Sequence, residues 1–173
     1  MKKLILLMFL FPNICFGNIE IIDSLKFINK IPNCEASAID QPDSLSLFWR
    51  IASMKELAIP TLIQKISDTT RTNILIPHFG GTYRVGDIAF RILEELIIKI
   101  PKYKLLGAKF DKNGCGDCAY WNAINGYENR KKFEVNLQKW YDKNKSRFVW
   151  KELKWNGTEC NYHNFNKGHY EIK

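Results

Sequence analysis

The stretch Val85–Ile100, VGDIAFRILEELIIKI, sets the terms on which the rest of the chain can fold. At 100° per residue, Val85, Ile88, Ala89, Phe90, Ile92, Leu93, Leu96, Ile97 and Ile100 spread over more than half of a helix circumference. Asp87, Arg91, Glu94 and Glu95 share what is left, with Lys99 at the edge of the apolar arc. A helix lying on a surface needs only a narrower apolar stripe, so an arc this wide demands neighbours on at least two sides. The segment is expected to be the central helix of a mainly helical domain, ended by Pro101, because the residue before a proline is biased out of helical angles. Glu94 and Glu95, adjacent on that helix, diverge by about 100° and cannot act as a carboxylate pair. They read as its solvated face.

The first seventeen residues stand apart from this domain. Lys2 and Lys3 precede the apolar run Leu4 to Phe11, Pro12 breaks it, and Cys15-Phe16-Gly17 offers small residues where a signal peptidase reads. A cleaved leader over 1–17 and a single globular domain over 18–173 are expected, with the product periplasmic or secreted. The run is too short to anchor the chain in a bilayer, and Lys99 and Pro101 interrupt the next best candidate. With Lys2 and Lys3 gone, 24 basic residues face 18 acidic ones. Tyr127 to Lys173 carries 11 Lys and Arg against 6 Asp and Glu, whereas Asn18 to Gly126 is near balance at 13 against 12. In an exported protein, a basic C-terminal quarter points to an acidic protein, a cell-wall polymer or a lipid headgroup before nucleic acid, and an acidic protein partner is the expectation.

Cleavage would also discard Cys15, leaving Cys34, Cys115, Cys118 and Cys160 in an oxidising compartment. Two structural disulfides are the expectation, and the spacing leaves all three pairings open. Cys115-Gly116-Asp117-Cys118 lacks the strand-helix-strand setting of a thiol oxidoreductase, and Asp117 between the sulfurs would raise a thiol pKa where catalysis needs it lowered. The alternative is a metal-binding or thiol-redox protein using Cys115, Cys118, Cys160 and His163. Cys-x-x-Cys and Cys-x-x-His are both ligand spacings, but 41 residues separate the two pairs.

Taken in order, the chain offers a short strand or helix after Asn18, a loop over Ala36 to Pro42, and a helix from Leu45 to Leu57 with Asp43 and Ser44 as N-cap candidates. A break at Ala58–Pro60 leads to a second helix in which Ile59, Leu62, Ile63 and Ile66 share a face. The residues AIPTLIQKISD within Leu45 to Asp68 resemble the second-helix segment of a HEAT-like repeat. That resemblance implies stacked helix pairs and a protein-binding role. Asn73–Ile76 and Thr82–Arg84 have strand-like content around Gly80-Gly81 and suggest a small hairpin. The stretch from Lys102 to Cys118 reads as irregular, AYWNAIN as a helical turn burying Tyr120 or Trp121, and Glu128 to Asn144 as a helix. VWKELKW, Asn156-Gly157 and TECNY then read as a C-terminal β-hairpin, because Asn-Gly suits the left-handed angles of a two-residue turn. The fold class is mainly α within α+β, with HEAT-like helix pairs, disulfides and that hairpin.

No nucleophile elbow, paired metal-binding histidines or phosphate-cradling glycine loop accompanies His78, His163 and His169. No catalytic residue, cofactor or metal site is therefore assigned, and the chain reads as acting by binding. Two surfaces are candidates. The first is the basic C-terminal face, where Lys132, Lys139 and Lys143 form a stripe beside Trp140, with Trp150, Trp155, Tyr162 and Phe165 further along. Aromatic anchors in a cationic field are what protein interfaces use. The second is the 68–84 loop, with Arg71, His78 and Tyr83; there the plain role of Asp68 and the threonines is to cap turns. Export, size, cysteine content and the lack of a catalytic constellation are similar in type to periplasmic immunity proteins, which plug the active cleft of a toxin directed at the cell envelope.

Overall fold

The computed structural model describes residues 20–32, 47–77, 79–110, 112, 116–152 and 168–173. The expected leader, Cys34, the N-cap candidates Asp43 and Ser44, and the Asn156-Gly157 turn lie outside them. The described chain opens with α1 (Glu20–Asp23), which tightens into a 3₁₀ turn over Ser24–Phe27 and buries Ile22 and Leu25. Next, α2 (Leu47–Ala52) buries Phe48, Trp49, Ile51 and Ala52. The helix expected to reach Leu57 stops at Ala52, and Lys55–Leu57 forms a separate 3₁₀ turn. Lys55 takes a φ of 54°, which no right-handed helix of L-residues can continue through. Pro60 then opens α3 (Ile59–Gln64), placed where its missing N–H has no intrahelical acceptor.

Asp68 Oδ1 accepts the Thr70 N–H at 2.9 Å and turns the chain into β1 (Arg71–Leu75), antiparallel to β2 (Thr82–Arg84). The buried Thr72 hydroxyl donates to the Tyr83 carbonyl at 2.9 Å and ties the two strands together. With no linker, β2 passes into α4 (Val85–Leu96). Helices α2 and α3, the 3₁₀ turn after α1, and the C-terminal strand all pack on α4, which accounts for its wide apolar arc. Close approach to the end of α3 depends on Gly86, since a Cβ there would run into the Ile66 carbonyl.

The sequence pattern carries α4 to Ile100, but the helix ends at Leu96. Ile97 is extended at φ −129° and ψ 108°, bridges Tyr170 in parallel, and leaves Ile98 to donate to the Tyr170 carbonyl at 3.2 Å. Pairing with a distant strand, and not Pro101, stops the helix. Lys102–Leu106, read as irregular, forms α5, closed by Gly107 at a left-handed φ of 68°. Then come α6 (Cys118–Ala123), which buries Tyr120, and α7 (Tyr127–Asn144), which lies against α3 and α5.

The last hairpin joins β3 (Phe148–Glu152) to β4 (Gly168–Ile172), with Phe148 opposite Ile172 and Glu152 opposite Gly168. The strand partner is therefore the C-terminal segment. Its Tyr170, buried and edge-on to Trp150 at 4.9 Å, gives it an inward anchor. Among the described residues the architecture is mixed α and β, with seven α-helices and two small antiparallel hairpins.

Candidate functional site

Helix α7 divides its residues between core and solvent. Phe133 and Leu137 are buried, and Trp140 and Tyr141 are half-buried with rings each 5.8 Å from Phe148. Trp140 is thus committed to holding β3 and presents only part of its ring to solvent. Lys132, Lys139 and Lys143 are exposed and fall within about 40° of arc. Their neighbours on the helix are answered: Lys131 reaches Glu134 at 2.6 Å and Lys145 reaches Asp142 at 3.0 Å. Among the described residues no carboxylate lies within ion-pair distance of the three stripe lysines. Asn136, beside them, donates to the Leu105 carbonyl at 2.8 Å and fastens α5 alongside the stripe.

The β1–β2 surface is less open than its composition suggests. Arg71 is exposed at the start of β1, but Tyr83 is only 8% exposed and meets Trp121 edge-on at 5.5 Å. Burial raises the Tyr83 hydroxyl pKa, against the pull of Arg91. His78 lies outside the described residues. What this hairpin does offer is Phe79, exposed and 5.7 Å from the Trp121 ring. Asp68 and Thr70 fill the turn-forming role, and Arg84 Nη1 donates to the Thr69 carbonyl at 3.1 Å.

A third region was not singled out by sequence. An open cleft of about 430 Å³ lies where α4 gives way to α5, lined by Glu94, Ile97, Ile98, Lys99, Ile100, Pro101, Lys102, Tyr103 and Lys104. One wall is an ion network. Lys102 Nζ lies 3.1 Å from Glu94 and 3.3 Å from Asp117, and Arg91 holds Glu94 from the other side at 3.2 Å. The Tyr103 hydroxyl donates to Asp117 at 2.6 Å. Desolvation works against the Asp117 carboxylate, yet the Tyr103 hydroxyl and Lys102 together hold its pKa below the usual range. Burial, then the same bond to Asp117, pushes the Tyr103 hydroxyl well up.

Family models, curated proteins and solved structures give no match to this chain.

The glutamates of α4 are not a solvated face. Glu94 is tied into the ion network, and Glu95 is half-buried, its carboxyl raised from 4.5 to about 7 by desolvation first, with Arg91 opposing and Glu94 reinforcing. The folded state then binds the Glu95 proton more tightly than the unfolded chain. The stability this contributes is complete below about pH 4.5 and is lost as pH rises through 7. Glu95→Gln, which cannot ionise, is expected to gain on the parent over that window by about 1 to 2 kcal/mol, discounted for partial exposure. Urea unfolding at pH 4 and pH 8 measures it, and a difference that does not change with pH refutes the assignment.

Of the four expected disulfide residues, Cys118 is the one described; it opens α6 and is disulfide-bonded. Cys34, Cys115 and Cys160, with the alternative ligand His163, lie outside the described residues. Among those described, no group of three His, Cys, Asp or Glu side chains is placed to hold a metal ion, and no helix is long and apolar enough to cross a membrane.

Proposed function

We propose that this chain is an exported protein-binding domain of the immunity type. In this reading it occludes the active cleft of a toxin directed at the cell envelope, with the α7 stripe meeting an acidic face of that partner. One observation carries it: Lys132, Lys139 and Lys143 share one exposed strip of an 18-residue helix with no counter-ion among the described residues. Aligned, uncompensated cations attract an oppositely charged surface and suppress wrong partners. The helix is held from behind by Phe133 and Leu137, so the backbone positions that carry the stripe are set before the partner arrives.

Export over residues 1–17, a framework of two disulfides and a HEAT-like pairing of α2 with α3 belong to the same proposal. What bears on the last is that α2 and α3 both lay apolar sides on α4, each packing more closely on α4 than on the other. Fixing four cysteines in two bridges would suit a domain of this size outside the cell, each bridge contributing about 2 to 4 kcal/mol.

The test starts from affinity capture of a partner by the mature protein from its own periplasm. Association of that partner is then followed against salt for the parent and for the triple variant Lys132→Glu, Lys139→Glu, Lys143→Glu. The parent should associate at least about 10-fold faster than the variant at low salt, and the gap should close as salt rises. Equal rates at all salt concentrations remove the proposal.

A further inference from the structure

We infer that the cleft between the end of α4 and α5 binds an acidic peptide segment carrying an apolar side chain. The inference rests on the protein-binding reading and names a second contact for the same partner. The cleft's floor is aliphatic, from Ile97, Ile98, Ile100 and Pro101, and its volume of about 430 Å³ suits one or two side chains and not a folded surface.

The charges around that floor do not cancel. Glu94 is answered twice, by Arg91 and Lys102, and Lys102 is itself shared between Glu94 and Asp117. Lys99 and Lys104 are exposed, line the cleft, and have no carboxylate partner among the described residues. Two positive charges are thus left over an apolar floor.

This combination selects among ligands. A simple anion such as inorganic phosphate would gain nothing from four aliphatic residues. A fatty acid would fill the floor but brings one carboxylate to two separate ammonium groups. A peptide with an apolar side chain flanked by Asp or Glu satisfies both features.

The backbone of the floor is fixed on both sides. Ile98 donates to the Tyr170 carbonyl at 3.2 Å, Lys102 donates to the Ile100 carbonyl at 2.7 Å, and Lys99 between them has a left-handed φ of 62°. The position of the Lys99 backbone is therefore set by the fold before any ligand arrives. Helix α5 is itself tied to α7, the helix that carries the stripe, through Asn136 and the Leu105 carbonyl. One acidic partner could thus engage both.

The experiment uses the whole mature protein and a fluorescein-labelled peptide of sequence Asp-Glu-Phe-Glu-Asp, followed by fluorescence anisotropy. The double variant Lys99→Glu, Lys104→Glu should bind at least tenfold more weakly, and replacing the peptide's Phe by Ser should cost a similar factor. A neutral pair, Lys99→Asn with Lys104→Gln, keeps a residue that tolerates left-handed angles at position 99 and should show an intermediate loss. The α7 triple variant should bind the peptide within twofold of the parent. No binding by the parent, equal binding by both cleft variants, or loss only in the α7 variant overturns the assignment. Decanoate displacing the peptide at lower concentration than unlabelled peptide does overturns it in favour of an amphiphile. Any of these outcomes leaves the α7 stripe to be decided by its own salt-dependence test, so the two readings fail separately.

Discussion

Arg130→Ala is expected to lower the free energy of unfolding by about 3 to 5 kcal/mol. Arg130 Nη1 and Nη2 reach the two oxygens of Asp87 at 2.7 and 3.2 Å, with the Asp87 side chain 1% exposed and that of Arg130 9%. Asp87 also accepts the Arg84 N–H at 2.7 Å and so closes the first turn of α4. The pair joins the N-terminus of α4 to α7 across 43 residues of sequence. Removing the guanidinium would leave a carboxylate sealed in the core with one backbone donor, and an unpartnered buried charge costs far more than a surface pair is worth. Against a typical total of about 5 to 15 kcal/mol, that loss should bring the urea midpoint down sharply.

The double variant Arg130→Met, Asp87→Asn separates this account from a simple packing effect. With both charges gone no buried ion remains, and the amide oxygen of Asn can still accept from Arg84. The double variant should be less destabilised than Arg130→Ala alone, a non-additivity that neighbours sharing one bond produce. A loss below about 1 kcal/mol for Arg130→Ala, or plain additivity, would show that the pair does not hold α7 in place.

Asp87 also shows where local patterning stops being informative. On the helical wheel it falls among Arg91, Glu94 and Glu95, and nothing within α4 distinguishes it from them. Its burial is dictated by Arg130, which a period of 3.6 residues cannot see. The same limit applies at the other end of α4, where Ile97 fits the apolar arc but is taken by Tyr170. The apolar arc itself, the α6 turn and the length of α7 were legible, because each is written in spacing within one segment. A local signal did exist for α5: Gly107, directly after KYKLLG, has the character of a helix-ending glycine. The α7 lysine stripe was legible for the same reason as α7. The cleft was not, since it needs the early end of α4 to bring Lys99 and Lys104 around one floor.

Phe90→Ala is expected to cost about 3 to 5 kcal/mol, the range for emptying a buried aromatic site. The Phe90 ring is 1% exposed, stacked on Tyr120 at 5.6 Å and edge-on to Phe133 at 5.0 Å, while Tyr120 meets Phe133 edge-on at 6.5 Å. These three rings are where α4, α6 and α7 meet, so the cavity left by Ala has walls from three helices. None of the three can relax inward alone. Phe90→Leu, which keeps most of the volume, should cost about 1.5 kcal/mol or less. The difference between the two substitutions then reports the cavity and not the chemistry of the ring. Val135→Ala on the exposed side of α7 serves as the control and should move stability by less than about 0.5 kcal/mol. Because α6 follows Asp117 directly, loosening its seat should also disturb the Lys102–Asp117–Tyr103 network at the cleft. Near-ultraviolet circular dichroism of the folded Phe90→Ala variant should register that change in the tyrosine region. An unchanged spectrum together with a loss below about 1 kcal/mol would mean that the three rings are not the joint between these helices.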